Sequence, residues 1–374
     1  MHQGKVVAQY REQIGLTQED LAEEMSVHLR TVQKLESRQM IRSLARRWFL
    51  VGLLGIPASQ LGLEGEPPWS QKKILPVHDD TMGFFEQELA LRWQVFKTNG
   101  PGSAAHGLDL WMTQVEHFAR DCQGTPWHMR ALNVLCMSYQ LQGSVLRDTL
   151  AYTPAEKTFQ KAYQVASELD NHELVGATLL RIGTIHVRRE RPLEAIQHFD
   201  AALEQINNRG YPSLRGNTLQ ARAEACAMMN RSQDCWRSIG LAEHIFGRED
   251  LGHEQSHVTF NAPKATAWKG VYALLLQDYE RAIALLDKGL ASYNPTSLTS
   301  RTRFLSRKAE AYYGAGRIGE CLEAAQEALT LASALGSGDT IKRVSNLHEM
   351  LAQSKWRNEP GMKSLGASLM QYSS

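Results

Sequence analysis

Small residues recur at regular intervals along most of this 374-residue chain, and they constrain its fold more than any other feature. Five of them align at spacings of 40, 40, 47 and 39 positions: Ala155, Ala195, Cys235, Ala282 and Cys321. Between these anchors, apolar residues recur at three and four, which predicts helices. Because small residues let antiparallel helices approach closely, the pattern predicts a stack of helix pairs.

A second small position precedes most anchors by about twelve residues, at Gly183, Ala223, Gly270 and Ala309. The first unit shows no obvious counterpart, so we expect an insertion after Cys136 to stretch it. A packing residue also follows each anchor by four positions, and another small residue follows three later. The units are therefore expected to share one packing scheme.

This pattern resembles the tetratricopeptide repeat, most clearly in residues 177–203 and 304–329. The spacing exceeds that family's repeat of about 34 residues, so longer helices or loops are expected, as in regulator-type variants. Residues 84–97 and 108–122 are expected to form a leading helix pair, and residues 342–356 a closing one. The resemblance implies an all-α chain containing a right-handed α-solenoid of roughly six or seven helix pairs.

A solenoid of this family has a groove lined by the first helix of each pair, and here the resemblance places a polar set there. Amide side chains such as Asn133, Asn217 and Gln220 can bond both the N–H and the C=O of an extended peptide. The alternative is that these residues only form a wetted inner surface. The predicted effector-binding residues are Arg130, Asn133, Gln140, Thr184, Arg188, Asn217, Gln220, Arg303 and Tyr313.

Near the N-terminus, residues 10–36 predict two short helices joined by a tight turn. Thr17 can cap a helix that begins at Gln18, and the acidic residues of its first turn suit the positive end of the helix dipole. Ser26 lies where the chain must turn, and the apolar residues on either side form two facing stripes. A preceding helix that stops at Gly15 would close this small core.

The order LTQEDLA followed by VHLRTVQKLE resembles the lambda-repressor-like (XRE) helix-turn-helix family over roughly the first 60 residues. In that family the second helix reads base edges in the major groove, and the start of the first binds phosphate. Two positions depart from the family, because Ser26 stands where glycine is usual and Leu29 where a polar reader is common. The resemblance implies base contacts by His28, Leu29, Arg30 and Lys34, and backbone contacts by Gln18 and Thr31.

Local charge favours a phosphate-binding face. Six cations but only one acid, Glu36, lie between His28 and Arg47, whereas the whole chain carries a net charge of +1. A one-sided basic face suits DNA, and Arg38 therefore joins the predicted DNA-binding residues. The alternatives are a solvated helix face, or a degenerate helix-turn-helix kept for packing or dimerisation.

The polar, proline-bearing residues 64–76 predict a linker between a DNA-binding domain at 1–63 and a repeat domain at 77–374. Apolar runs long enough to cross a bilayer and a signal-peptide pattern are both missing from the sequence, so we expect a cytoplasmic protein. The five cysteines have no CxxC spacing and are expected to be small buried residues.

One motif points to different chemistry. His253, Glu254 and His257 have the H-E-x-x-H spacing that binds zinc and activates water in metallopeptidases. Its flanks lack an apolar helix, Pro263 soon follows, and repeats lie on both sides, so a connecting segment is the simpler interpretation. Phosphate-loop, nucleophile-elbow and dinucleotide motifs are also missing, and we predict neither an enzyme nor a cofactor.

Together these features predict a homodimeric, sequence-specific transcription regulator that binds double-stranded DNA. Its repeat domain is expected to bind a short peptide or protein effector, and the combination resembles peptide-sensing quorum regulators. A protein-interaction scaffold with a vestigial reader is the main alternative, and a zinc metallopeptidase is a minor one.

Overall fold

The computed structural model describes residues 2–25, 27–65, 79–206, 210–245, 258, 262–292 and 298–372, with the side chains of 262–264 and 372 left out. Within these ranges every regular element is a helix, which confirms the predicted all-α class. None of the helices in these ranges is both long enough and apolar enough to cross a membrane.

Four α-helices and a 3₁₀ segment form the N-terminal unit. They are α1 (Gln3–Gln13), α2 (Gln18–Glu24), α3 (Leu29–Glu36), α4 (Leu44–Leu54) and the 3₁₀ segment Ala58–Leu61. As predicted, Thr17 caps α2, and a reciprocal capping box joins it to Asp20. Gly15 follows α1 with a φ of +79°, a left-handed conformation that glycine adopts without strain. The buried apolar residues of the unit belong to one cluster with those of the next helices along the chain.

Fourteen further helices follow in the described part of the chain after residue 78. They are α5 (Asp79–Ala105), α6 (Leu108–Asp121), α7 (His128–Asp148), α8 (Tyr152–Glu168), α9 (His172–Arg188), α10 (Pro192–Ile206), α11 (Pro212–Met228), α12 (Ser232–Glu243), α13 (Ala262–Leu275), α14 (Tyr279–Ala291), α15 (Leu298–Gly314), α16 (Ile318–Leu335), α17 (Gly338–Ala352) and α18 (Pro360–Tyr372).

From α7 onward these helices form six consecutive pairs, each packed on the next, and α5 and α6 precede them. The pair number and the solenoid character agree with the prediction. The closing helix begins at Gly338, four residues before its predicted start, and α18 was not predicted.

Close helix approach depends on the small residues found in the sequence. A Cβ on Gly183 would lie 2.5 Å from the ring of Phe199, which follows the anchor of the same unit. The first unit repeats this contact, because a Cβ on Gly143 would lie 2.6 Å from the ring of Phe159. Gly143 stands twelve residues before Ala155, so the predicted insertion after Cys136 was wrong and the first unit has the common spacing.

The turn inside each of the first five pairs has the same backbone conformation. A residue with positive φ lies five positions before each anchor, although only one of these residues is glycine. The backbone conformation of this turn is therefore the same in all five pairs, even where the side chain at this position differs. These residues are Leu150, Glu190, Asn230, Gln277 and Gly316.

Helix α5 runs across the stack and closes it. It packs against α7 at one end of the array and against α15 and α16 near the other. Its backbone breaks at Gly100, where a Cβ would lie 2.6 Å from the carbonyl oxygen of Leu335. Nearby, the Thr299 hydroxyl donates to the carbonyl oxygen of Lys97 at 3.4 Å. The inner face of the stack is consequently covered on one side by α5.

All five cysteines are buried and none forms a disulfide, as the sequence predicted. Burial raises the pKa of the Cys122, Cys136, Cys235 and Cys321 thiols to about 12. Since the thiolate is the reactive form, these cysteines are packing residues.

Gly183→Ala is expected to destabilise the fold by roughly 1–3 kcal/mol, because the added methyl group has no room beside Phe199. Gly240→Ala is the matched control: that helical glycine has no atom within 4 Å of its Cβ position. Alanine there should be neutral or stabilising by roughly 0.5–1 kcal/mol. Urea unfolding followed by circular dichroism would compare the two, and equal midpoints would contradict this account of the packing.

Candidate nucleic-acid interface and effector cleft

The predicted reading helix is α3. Val32 and Leu35 are buried against the other N-terminal helices, and Arg30 and Lys34 are exposed on the helix surface. His28 caps the helix, since its Nδ1 accepts a hydrogen bond from the Arg30 backbone N–H at 3.2 Å. The helix therefore presents two cations on the face that the sequence assigned to DNA.

Gln18, a predicted phosphate contact, is held inside the N-terminal unit. Its Nε2 donates to Glu36 Oε2 at 2.6 Å, and Arg11 Nε donates to Glu36 Oε1 at the same distance. The hydrogen bond to Glu36 raises the pKa of Arg11. This group ties the start of α2 to the end of α3, so a phosphate would have to share Gln18 with Glu36.

The carboxylate of Asp170, in the turn between α8 and α9, binds two arginines of the N-terminal unit. Arg38 forms an ion pair with it, and Arg46 Nη1 lies 3.0 Å from Asp170 Oδ2. Arg46 is fully buried, and this burial lowers the pKa of Arg46 to about 10. Arg38 and Arg46 were both expected on an open basic face, but in this conformation Asp170 holds them.

Gly210 occupies the corresponding turn before α11, forty residues after Asp170. The Cβ position of Gly210 lies 3.7 Å from His28 Cε1 and 3.8 Å from Arg30 Cδ. The His28 ring packs edge-on against Tyr211, with centroids 5.8 Å apart. Burial, and secondarily the charge of Arg30, lowers the pKa of His28. Two successive turns of the repeat array thus contact α3 and the segment that follows it.

Only a small gap separates α3 from these turns. The cavity there has a volume of 20 Å³, enough for about one water molecule. A DNA major groove is about 8.5 Å deep, so a duplex cannot receive this side of α3 while the turns contact it. The cavity is lined by Arg30, Thr31, Lys34, Arg38, His172 and Tyr211.

A much larger cleft, of 480 Å³, occupies the inner face of the repeat array. The first helix of every pair, from α7 to α17, contributes to it, and α5 forms the remaining wall. This volume is within the range of roughly 300–1,000 Å³ that is usual for small-ligand sites. Five predicted effector-binding residues line the cleft: Thr184, Arg188, Asn217, Gln220 and Arg303.

The other four predicted effector-binding residues do not line the cleft. Arg130 is paired with Glu86 at 2.8 Å, and Gln140 is buried, where its Nε2 donates to Thr178 Oγ1 at 2.9 Å. Asn133 is half-buried on α7, and Tyr313 packs partly buried against the apolar core. The repeat pattern placed these residues on the first helices correctly, but at positions that do not reach the cleft.

Positive charge dominates the cleft lining. Burial lowers the pKa of both Arg181 and Arg188 to about 9, and neighbouring arginines add to the effect. Burial opposes ionisation of Asp148, but the charges of Arg147, Arg188 and Arg303 outweigh it and lower the pKa of Asp148. Among the described residues, seven cations line the cleft against two acids: Lys97, Arg147, Arg181, Arg188, Arg303, Arg307 and Arg343 against Asp148 and Glu224.

Comparison with known families agrees with this geometry. The helix-turn-helix family matches residues 7–59, and the tetratricopeptide repeat family matches residues 133–208. The chain joins an XRE-type helix-turn-helix domain to tetratricopeptide repeats. A helix-turn-helix domain suggests DNA binding, tetratricopeptide repeats suggest binding of a protein or peptide, and both are non-enzymatic kinds of domain.

Solved structures give weaker similarities to the repeats. A crystal structure of BtubC (BKLC) from P. vanneervenii is 14% identical, covers 61% of this chain and 92% of its own, and has a TM-score of 0.43. The TPR2AB-domain:pHSP90 complex of yeast Sti1 is 14% identical, covers 72% and 99%, and has a TM-score of 0.25. No curated protein matches the sequence.

Several residues of the cleft in the tetratricopeptide domain were missed in the sequence. Lys97 comes from α5 and Arg343 from α17, which lie outside the five aligned units. Arg181, by contrast, lies three residues before Thr184 on the same helix, which is about one helical turn. Extending the predicted face of α9 by one turn would have found Arg181, whereas no local pattern brings α5 to the cleft.

Three predictions fall outside the described residues. They concern the turn residue Ser26, the H-E-x-x-H motif at 253–257, and the linker beyond Gly65. Where side chains are described, no group of three His, Cys, Asp or Glu could hold a metal ion.

Proposed function

We propose that the protein is a sequence-specific transcription regulator that binds double-stranded DNA. In this proposal residues 1–63 form the DNA-binding domain, residues 64–76 the linker and residues 77–374 the effector-binding domain. The regulator would work in the cytoplasm as a homodimer, like the peptide-sensing quorum regulators that the sequence resembles.

The docking of α3 on the repeat array carries this proposal. Helix α3, which displays Arg30 and Lys34, packs against the turn at Gly210. Asp170 holds Arg38, just after α3, and Arg46 on α4. Docking and major-groove insertion compete, because the duplex needs the space that the two turns occupy. The described conformation is accordingly the state of low DNA affinity.

The helices that hold α3 also reach the cleft, which supports control by an effector. Asp170 and His172 lie at the start of α9, and the same helix contributes Thr184 and Arg188 to the cleft. Tyr211 caps α11, which contributes Asn217 and Gln220. A ligand that binds the cleft better in one arrangement of α9 and α11 would shift the docking equilibrium of α3.

A DNA-selection experiment tests the proposal. The full-length protein, at moderate salt, is expected to enrich a two-fold symmetric sequence whose half-sites are about 10 base pairs apart or a multiple of that. A single helix-turn-helix covers too little DNA for tight specific binding, which is why a dimer is expected. Enrichment of a single unpaired half-site would refute the dimer. No enrichment by either the full-length protein or its Asp170→Ala variant, in which the contact at Asp170 is removed, would refute the regulator.

A further inference from the structure

We infer that the cleft of the tetratricopeptide domain takes a short acidic peptide, whose carboxylates are bound by Lys97 and Arg303. This inference names the chemistry of the effector, and its regulatory meaning rests on the proposed function. The binding itself is a property of the cleft alone.

The first support is the charge excess. Four of the seven cleft cations already have acidic partners. Arg307 Nη2 lies 3.3 Å from Glu224 Oε1, and Arg147 Nε donates to Asp148 at 2.7 Å. Arg188 and Arg343 are engaged by acids at the edge of the cleft, Asp339 and Glu310 respectively. The acids present are used by these four cations.

The remaining cations are arranged differently. Arg181 is already engaged, because its Nη1 donates to the carbonyl oxygen of Ala177 at 3.0 Å and its guanidinium lies 5.3 Å from the centroid of the Trp93 ring. Arg303 and Lys97 make no side-chain hydrogen bond or ion pair with any described residue. Charged groups inside a partly enclosed cleft are costly unless an anion joins them, so the cleft favours ligands that bring negative charge.

Polar groups on α11 and α13 favour a peptide over a simple anion. Gln220 Oε1 and Trp268 Nε1 are buried, line the cleft, and have no hydrogen-bond partner among the residues described. One is an acceptor and the other a donor, which is the pair that a peptide N–H and C=O require. A phosphate ion has no N–H to offer Gln220. The aromatic surfaces of Trp93 and Phe96 add apolar area suited to side chains of a peptide.

The test uses full-length protein without DNA and two pools of fluorescein-labelled heptapeptides. One pool carries two glutamates at fixed positions among random residues, and the other carries glutamines at the same positions. Fluorescence anisotropy is expected to show about tenfold or more tighter binding of the glutamate pool, since charge-assisted hydrogen bonds are about twice as strong as neutral ones. A rising salt concentration should weaken binding of the glutamate pool more than binding of the glutamine pool.

Variants locate the binding. Arg303→Gln and Lys97→Gln should each bring the glutamate pool close to the affinity of the glutamine pool. Arg301→Gln is the matched control, because Arg301 lies on the same helix α15 but pairs with Glu327 away from the cleft. Equal affinity for the two pools, loss of binding in the control to the same extent, or no binding of either pool would overturn the inference.

A competition experiment distinguishes a ligand that binds through carboxylates from one that binds through phosphate. Inorganic phosphate should displace the glutamate pool only at concentrations far above the peptide concentration. If phosphate displaces the glutamate pool at a concentration similar to that of the peptide, the cleft takes a phosphate-bearing ligand and the assignment of an acidic peptide is wrong. Because DNA is absent, a protein that binds the pool but selects no DNA would refute only the regulator, and the reverse result would refute only the acidic peptide.

Discussion

Asp170→Ala is expected to raise the DNA affinity of the full-length protein by about tenfold or more. The substitution removes the carboxylate shared by Arg38 and Arg46, and it leaves Arg46 buried without its counter-charge in the docked state. Removing one partner of a buried, hydrogen-bonded charge pair costs roughly 2–5 kcal/mol. That cost falls on the docked conformation alone, so the undocked, DNA-competent population increases.

The measurement is a binding isotherm on the selected DNA site at fixed salt, with circular dichroism to check helix content. Asp234→Ala is the matched control, because it removes an equally charged side chain that also contacts two arginines, Arg231 and Arg237, on the surface of α12. Any rise caused only by reduced net negative charge will appear in both variants. An increase no larger than that of Asp234→Ala would contradict the docking model.

A second variant disrupts the same contact by a different change, so the docking model can still be tested if Asp170→Ala fails to fold. Tyr211→Ala removes the edge-on contact with the His28 ring and leaves every charge in place. An aromatic pair contributes about 0.5–1.5 kcal/mol, so a smaller increase in DNA affinity is expected, in the same direction. Agreement between the two variants would assign the effect to the contact between α3 and the turns, rather than to either residue alone.

The parts of the fold that depend on local pattern could be predicted from the sequence. Thr17 indicates the start of α2 because it can cap the helix, and Gly15 indicates the end of α1 because glycine adopts a left-handed conformation without strain. Both residues lie where they were expected. The anchors of the repeats were found because small residues are needed wherever two helices touch. Gly143 lies where an insertion was expected, whereas its contact with Phe159 shows that the first unit keeps the common spacing.

Contacts between distant segments could not be predicted in this way. Asp170 lies 132 residues from Arg38, and nothing around either residue indicates the other. The same holds for Lys97, which reaches the cleft because α5 crosses the repeat array. The basic segment after His28 suggested one phosphate-binding face, whereas the structure divides its cations into three groups. Arg30, Lys34 and Arg42 are exposed, Arg38 and Arg46 bind Asp170, and Arg47 donates to backbone oxygens of its own unit.

This division of charge explains how one short segment can serve both states. Arg30 and Lys34 have exposed side chains at the edge of the docked contact, and Arg38 belongs to that contact until the domains separate. On separation Arg38 would lose Asp170 and gain the possibility of a phosphate partner, which is a comparable ion pair. For Arg38, the change between the two states therefore exchanges one anionic partner for another.

Arg30→Ala combined with Lys34→Ala is expected to lower DNA affinity by about a hundredfold or more. Loss of a specific base contact costs roughly 1–3 kcal/mol per residue, and the two side chains are the exposed cations of α3. The change should be made in the Asp170→Ala protein. There α3 is already released, and a loss of affinity then reports DNA contacts and not a shift in docking.

The control pair is Arg191→Ala with Arg237→Ala in the same background, which removes two exposed arginines from the surface of the repeats. Its affinity should stay within about twofold of the parent, since rim charges far from the duplex are screened. The slope of log affinity against log salt should fall by up to about two for the α3 pair, if both cations reach phosphates, and by less if they read bases. Unchanged DNA affinity of the Arg30→Ala, Lys34→Ala variant would mean that the helix-turn-helix domain has a packing role, because a DNA-binding helix that loses its two exposed cations must bind DNA more weakly.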